Sequence, residues 1–96
     1  MKISELCYIL EKMGYAEFEP FVHSVKDNIS FRKMVGKNVV ELDKEVFKIS
    51  QKTGIKFKRR NNPTYVDELG KIYVDYYSDK IIVRMYYYNK NVTIIQ

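Results

Sequence analysis

The spacing of the apolar residues changes at Gly54, and this change limits the fold more than any other feature of the sequence. Before Gly54, apolar residues recur every three or four positions, which is typical of helices with one buried face. After Gly54 they alternate with polar residues, which is typical of strands with one buried side. Helices followed by consecutive strands favour the α+β class. We therefore expect two or three N-terminal helices packed on one face of a C-terminal antiparallel β-meander of four to five strands.

The helical part is predicted to span about residues 3–54. Ser4 can cap a first helix that ends at Gly14, and Asn38 can cap a last helix that ends at Gly54. The apolar stripe of the last helix consists of Val39, Leu42, Val46, Ile49 and Thr53. Between these two helices, a second helical face is predicted from Phe18, Phe21, Val22 and Val25, followed by a turn near residues 26–28 and by Phe31, Met34 and Val35.

The sheet part is predicted to span about residues 55–96, with strands at 55–60, 64–68, 72–77, 81–88 and 92–95. A chain of 96 residues is too short for two independent cores, so residues 1–96 should form a single domain. Strand alternation assigns an almost purely aliphatic set to the side that meets the helices. That set is Ile55, Phe57, Ile72, Val74, Ile81, Val83, Met85, Val92 and Ile94.

The opposite side of the predicted sheet combines tyrosines with cations. A side exposed only to water would be richer in Thr, Lys and Glu, so this side is the candidate binding face. Ile82, Asp75, Thr93 and Ile95 share it. The residues expected to bind are Lys56, Lys58, Arg60, Tyr73, Tyr77, Arg84, Tyr86 and Tyr88.

The sequence offers little support for catalysis, a metal or another cofactor. It has one cysteine and one histidine, and no metal-binding spacing of His, Cys, Asp or Glu. Cys7 belongs to an apolar helical stripe, which favours packing over a nucleophilic role with His23. The stretch Gly36-Lys37-Asn38 could offer backbone amides to a phosphate, but the four glycines stand alone and are typical of turns. We expect a small binding protein with no enzymatic activity, which acts through the candidate binding face on a nucleic acid or a nucleic-acid-handling protein.

The predicted location is the cytoplasm. A lone cysteine excludes an internal disulfide, and small secreted domains usually carry several. The apolar run near the N-terminus is too short for a secretory signal, and no stretch reaches the roughly 18 uncharged residues of a membrane span. A membrane partner is therefore not expected.

A net charge of +5 permits an anionic partner without requiring one. Tyrosine and arginine are favoured in protein interfaces, which favours a protein partner, including a second copy of the chain, ahead of nucleic acid. Aromatic rings with cations also bind single-stranded nucleic acid, and an exterior with no partner is the third interpretation. Short, basic chains without motifs are also typical of stoichiometric inhibitors from mobile elements, such as anti-CRISPR proteins.

One segment resembles a known enzyme family. Residues 83–88 (VRMYYY) followed by 92–95 (VTII) are similar to the central hairpin of the RelE-type toxins, and the resemblance covers fewer than twenty residues. It implies a metal-independent ribonuclease that positions the RNA backbone with Arg, Lys and Tyr. The chain lacks the opening strand usual in that family and the terminal basic or His residue, so this remains an alternative to the binding protein.

Overall fold

The computed structural model describes residues 2–18, 29–66, 68, 70–79 and 81–88, and at residues 61, 62 and 65 it describes the backbone alone. Two helices and five strands lie in this part of the chain. Their order is α1 (Ile3–Lys12), β1 (Ala16–Phe18), β2 (Ile29–Gly36), α2 (Val39–Thr53), β3 (Lys58–Tyr65), β4 (Lys71–Ser78) and β5 (Ile81–Tyr88). The α+β class is confirmed.

The sheet is mixed, so the predicted antiparallel meander is wrong in its topology. The strand order is β1-β2-β5-β4-β3. The pairs β1–β2, β5–β4 and β4–β3 are antiparallel, as a meander requires, but β2 lies parallel to β5. The predicted division of the chain into a helical part before Gly54 and a sheet part after it is also wrong. The strands β1 and β2 precede α2 and belong to the same sheet as the later strands.

The helical face predicted from Phe18, Phe21, Val22 and Val25 is wrong at Phe18, the one residue of this set that the structure describes. Phe18 ends β1, while Phe31, Met34 and Val35 lie in β2. Phe31 is fully buried and Met34 is 44% exposed, so the apolar residues after the predicted turn lie on both sides of a strand. Residues 19–28, with Phe21, Val22, Val25 and His23, fall outside the described residues.

The signals at the ends of α2 are confirmed. The side chain of Asn38 accepts a hydrogen bond from the backbone N–H of Glu41 at 3.0 Å, and Gly54 ends the helix in the left-handed region at φ 72°. In α1, Gly14 adopts φ 94° directly after the last helical turn, as expected. The predicted cap is wrong there, because the helix begins at Ile3 and Ser4 lies inside its first turn.

The core lies between the two helices and one side of the sheet. Leu6 and Leu10 of α1 pack with Leu42 and Ile49 of α2 against the aliphatic side chains of β4 and β5. Val74 and Val83 are buried as predicted, whereas Val46 is only partly buried. Ile55 and Phe57 pack against the core from the segment before β3, which begins only at Lys58. Residues 61–63, predicted to interrupt a strand, continue β3 through a shift in register. Val92 and Ile94 lie outside the described residues.

Two buried tyrosines hold α2 from opposite flanks. The Tyr15 hydroxyl donates to Oε1 of Glu45 at 3.3 Å, and Lys33 Nζ lies 3.7 Å from the same oxygen. On the other flank, the Tyr76 hydroxyl donates to Oδ1 of Asp43 at 2.6 Å, and Arg59 Nη1 lies 3.6 Å from Asp43 Oδ2. Burial and the neighbouring carboxylate raise the pKa of both phenols.

Candidate binding face

The side of the sheet opposite the helices is here called the open face, and the strand register defines its members. On β4 and β5, Tyr73 lies opposite Tyr86, Asp75 opposite Arg84, and Tyr77 opposite Ile82. The residues of β1, β2 and β3 that are in register with these positions lie on the same face. The open face comprises Ala16, Phe18, Ser30, Arg32, Met34, Lys58, Arg60, Thr64, Lys71, Tyr73, Asp75, Tyr77, Ile82, Arg84, Tyr86 and Tyr88.

Seven of the eight predicted site residues lie on the open face, and Lys56 is the exception. Lys56 is exposed in the segment between α2 and β3, where no strand register fixes its direction. Lys58 and Arg60 lie on β3 opposite Tyr77 and Asp75, respectively. The intervening Arg59 belongs to the helical side, where it contacts Asp43. Three consecutive cations are therefore divided between the two sides of one strand.

Cations and aromatic rings contact one another in a continuous series across the open face, here called the ladder. Arg84 lies between two rings, with its Cζ 5.1 Å from the centre of Phe18 and 4.0 Å from that of Tyr73. Tyr73 meets Tyr86 edge to face, with ring centres 5.8 Å apart. Arg32 Cζ lies 5.6 Å from the Phe18 ring at one end, and Lys71 Nζ lies 4.7 Å from the Tyr86 ring at the other. Such contacts contribute about 0.5–2 kcal/mol each.

Asp75 fixes the centre of the ladder. Its two oxygens accept hydrogen bonds from Nε and Nη2 of Arg84 at 2.8 and 3.0 Å, a bidentate geometry between side chains that are 12% and 20% exposed. Burial acts to lower the pKa of Arg84, but the hydrogen bonds and charge of Asp75 outweigh it and raise that pKa. Because Arg84 already has an anionic partner and an aromatic ring on each side, it stabilises the face itself.

The open face is not uniformly exposed. Ser30 and Ile82 lie on it as neighbours in the register, yet they are only 1% and 9% exposed. Ile82 was expected among exposed residues, so its burial is a correction to the predicted face. Among the described residues, the Ser30 hydroxyl has no hydrogen-bond partner. Arg32, Lys58, Arg60, Tyr77 and Tyr88 are exposed.

The net charge of the chain is concentrated on the open face. This face holds five cations (Arg32, Lys58, Arg60, Lys71 and Arg84) and one carboxylate, which leaves a net charge of +4. The helices α1 and α2, counted together with the N-cap residue Lys2, hold five lysines and five acidic residues, so their charges cancel. An anionic partner is therefore attracted to one side of the described structure.

The other candidate sites from the sequence have structural explanations. Burial raises the pKa of the Cys7 thiol, and the carboxylates of Glu17 and Glu11 raise it further, which disfavours the reactive thiolate. At the start of α2, the Glu41 carboxylate accepts a hydrogen bond from the Lys37 backbone N–H at 2.7 Å. The chain thus places its own anion where a phosphate was considered. In the described residues, no group of three His, Cys, Asp or Glu side chains could hold a metal ion.

Sequence reasoning missed three members of the ladder, which are Phe18, Arg32 and Lys71. Phe18 was assigned to a helix, Arg32 had no predicted element, and no local pattern indicates that β2 pairs with β5. The Asp75–Arg84 pair did have a signal, because a two-residue turn between Ser78 and Ile81 places these two residues opposite each other.

The comparisons with known protein families, curated proteins and solved structures find no match. No helix in the described part of the chain is both long enough and apolar enough to cross a membrane.

Proposed function

We propose that this protein binds single-stranded nucleic acid through the open face, without catalysing a reaction. The observation that carries the proposal is the concentration of charge, since a net +4 lies beside exposed aromatic rings while the two helices are neutral. Cations that neutralise phosphates and rings that stack on bases are the two components of sequence-tolerant single-strand binding.

The ladder supports this function by fixing the face before the partner arrives. Side chains that are already held by neighbours lose little conformational freedom on binding, so less of the interaction energy is spent on ordering them. Arg84, Tyr73 and Tyr86 are held in this way. Arg32, Lys58 and Arg60 are exposed around them and are the proposed phosphate contacts.

The concentration of charge also weighs against the alternatives. A symmetric dimer through the open face would bring two surfaces of net +4 together, and a protein partner would need an acidic surface. In the segment that resembles the RelE-type hairpin, Arg84 is engaged by Asp75, which weighs against its use to polarise a phosphate. A role as a stoichiometric inhibitor is compatible with this charge only if the target protein has an acidic surface.

The test is fluorescence anisotropy with a labelled single-stranded oligonucleotide at several salt concentrations. Three phosphate contacts predict a slope of log K against log salt of about −2, and each lost contact reduces its magnitude by about 0.7. Arg32→Gln and Arg60→Gln should therefore weaken binding and flatten the slope. The matched controls are Lys48→Gln and Lys52→Gln, which remove the same charge from the exposed side of α2. Equal losses in both pairs, or no binding by the wild type, would refute the proposal.

A further inference from the structure

We propose that Tyr77 and Tyr88 form two separate base-stacking subsites at opposite ends of the open face. This inference rests on the proposed nucleic-acid binding and assigns the bases to particular rings. It follows from a comparison of the aromatic rings on this face, some of which are already engaged by neighbouring side chains.

The three rings of the ladder are engaged within the protein. Phe18 has Arg32 and Arg84 above it, and Tyr73 has the Arg84 guanidinium at 4.0 Å and the ring of Tyr86 at its edge. Tyr86 has the Lys71 ammonium at 4.7 Å. A base that stacked on one of these rings would have to displace a cation. Arg84 resists displacement most, because Asp75 holds it with two hydrogen bonds.

Tyr77 and Tyr88 differ from these rings. They are 41% and 44% exposed, and within the described residues neither makes a ring contact. Each lies directly opposite a lysine on the neighbouring strand. Tyr77 pairs with Lys58, and Tyr88 pairs with Lys71. Each subsite thus combines an open ring for a base with a lysine on the paired strand; Lys58 is exposed, and the Lys71 ammonium lies over the neighbouring Tyr86 ring.

The separation of the two rings sets the length of strand that can engage both. Tyr77 lies beside Ile82, and Tyr88 lies six positions after Ile82 along β5. At about 3.3 Å per residue the two subsites are about 20 Å apart. Bases in a stacked strand repeat about every 3.4 Å, so about six steps of a stacked strand, or fewer steps of an extended one, are needed to reach from one ring to the other.

The experiment measures affinity for oligothymidylates of about two to about twelve nucleotides with wild type, Tyr77→Leu and Tyr88→Leu. Short oligomers occupy one subsite at a time. Affinity should therefore rise steeply once the strand spans both, because the second contact becomes intramolecular. On long strands each leucine variant should lose about 5- to 150-fold in affinity, the equivalent of one lost base stack, and the steep rise with length should disappear.

Matched variants separate stacking from other effects. Tyr77→Phe and Tyr88→Phe keep the ring and should bind as the wild type does. Tyr8→Leu removes a 60% exposed ring from α1, away from the open face, and should change nothing. If the phenylalanine variants lose as much affinity as the leucine variants, the hydroxyls make the contact and the stacking subsites are refuted. Circular dichroism of each variant identifies any loss that comes from unfolding.

A probe without bases distinguishes failure of the subsites from failure of the function. Linear polyphosphate should bind both leucine variants as it binds the wild type, and it should bind Arg32→Gln and Arg60→Gln more weakly. If the leucine variants bind long oligothymidylate normally while the arginine variants do not, the subsites are wrong and the proposed function stands. If neither set of variants changes binding, both proposals fail.

Discussion

Replacement of Arg84 by alanine should destabilise the free protein, because Arg84 joins three parts of the open face. Asp75 would remain 12% exposed without its bidentate partner, and Phe18 and Tyr73 would lose the guanidinium between them. Loss of one partner from a fully buried ion pair costs about 3–5 kcal/mol. Arg84 is 20% exposed and water can reach part of the gap, so we reduce the expected loss for Arg84→Ala to about 2–3 kcal/mol, including the lost ring contacts.

Urea unfolding followed by far-ultraviolet circular dichroism measures this loss as a lower midpoint at unchanged slope. Arg32→Ala is the matched control, since Arg32 also lies over Phe18 but is exposed, and it should cost less than about 1 kcal/mol. In the double variant Arg84→Met with Asp75→Leu, no charge is left unpaired, so much of the stability should return. A loss below about 0.5 kcal/mol for Arg84→Ala would refute the assigned structural role and return Arg84 to the set of free binding cations.

Three further outcomes are expected. Stability should fall as pH rises above about 10, the ordinary tyrosine value. The raised pKa values of Tyr15 and Tyr76 mean that the folded state keeps protons that the unfolded state releases, so their contribution is complete below that pH and is lost above it. Absorbance at alkaline pH should show two phenols that ionise only when the protein unfolds. If all the tyrosines instead ionise together in the folded protein, the raised pKa values are refuted. Gly36→Ala should destabilise by about 1 kcal/mol in a thermal melt, because an added Cβ would collide with the Glu41 side chain and displace it from the Lys37 amide, and an unchanged midpoint would refute that cap. Purified protein should leave labelled RNA and DNA intact with or without magnesium, and cleavage abolished by Arg84→Ala would favour the RelE-type alternative.

Local signals in the sequence predicted the elements that depend only on nearby residues. The helix α2 has an N-cap at Asn38, an apolar stripe and a terminal Gly54, and all three act within one or two turns. The strand β5 matches its predicted bounds because no turn-forming residue interrupts positions 81–88 and the turn after Ser78 is short. Alternation separated the buried Val83 from the partly exposed Arg84 and so located most of the open face.

The features that depend on distant pairing could not be read in this way. Phe18 fits a helical period in a segment rich in apolar residues, and only the pairing of β1 with β2 selects the extended form. The place of Arg32 beside Arg84 follows from the parallel register of β2 and β5, which no turn determines. Alternation placed Asp75 on the predicted face but could not show that it neutralises Arg84 and leaves the exposed cations unchanged.

The position of β5 has a consequence for how the chain folds during synthesis. It is the last described strand along the chain, yet it is the central one, with β2 on one side and β4 on the other. The pairing of Ile29 with Ile81 closes a loop of about 50 residues, whose entropic cost must be met before the parallel contacts form. A ribosome that has released only the chain through β4 therefore presents a β1–β2 hairpin and a β3–β4 hairpin with no strand to join them. Folding of the sheet must wait for β5, and the unpaired edges of β2 and β4 are open to other chains until then.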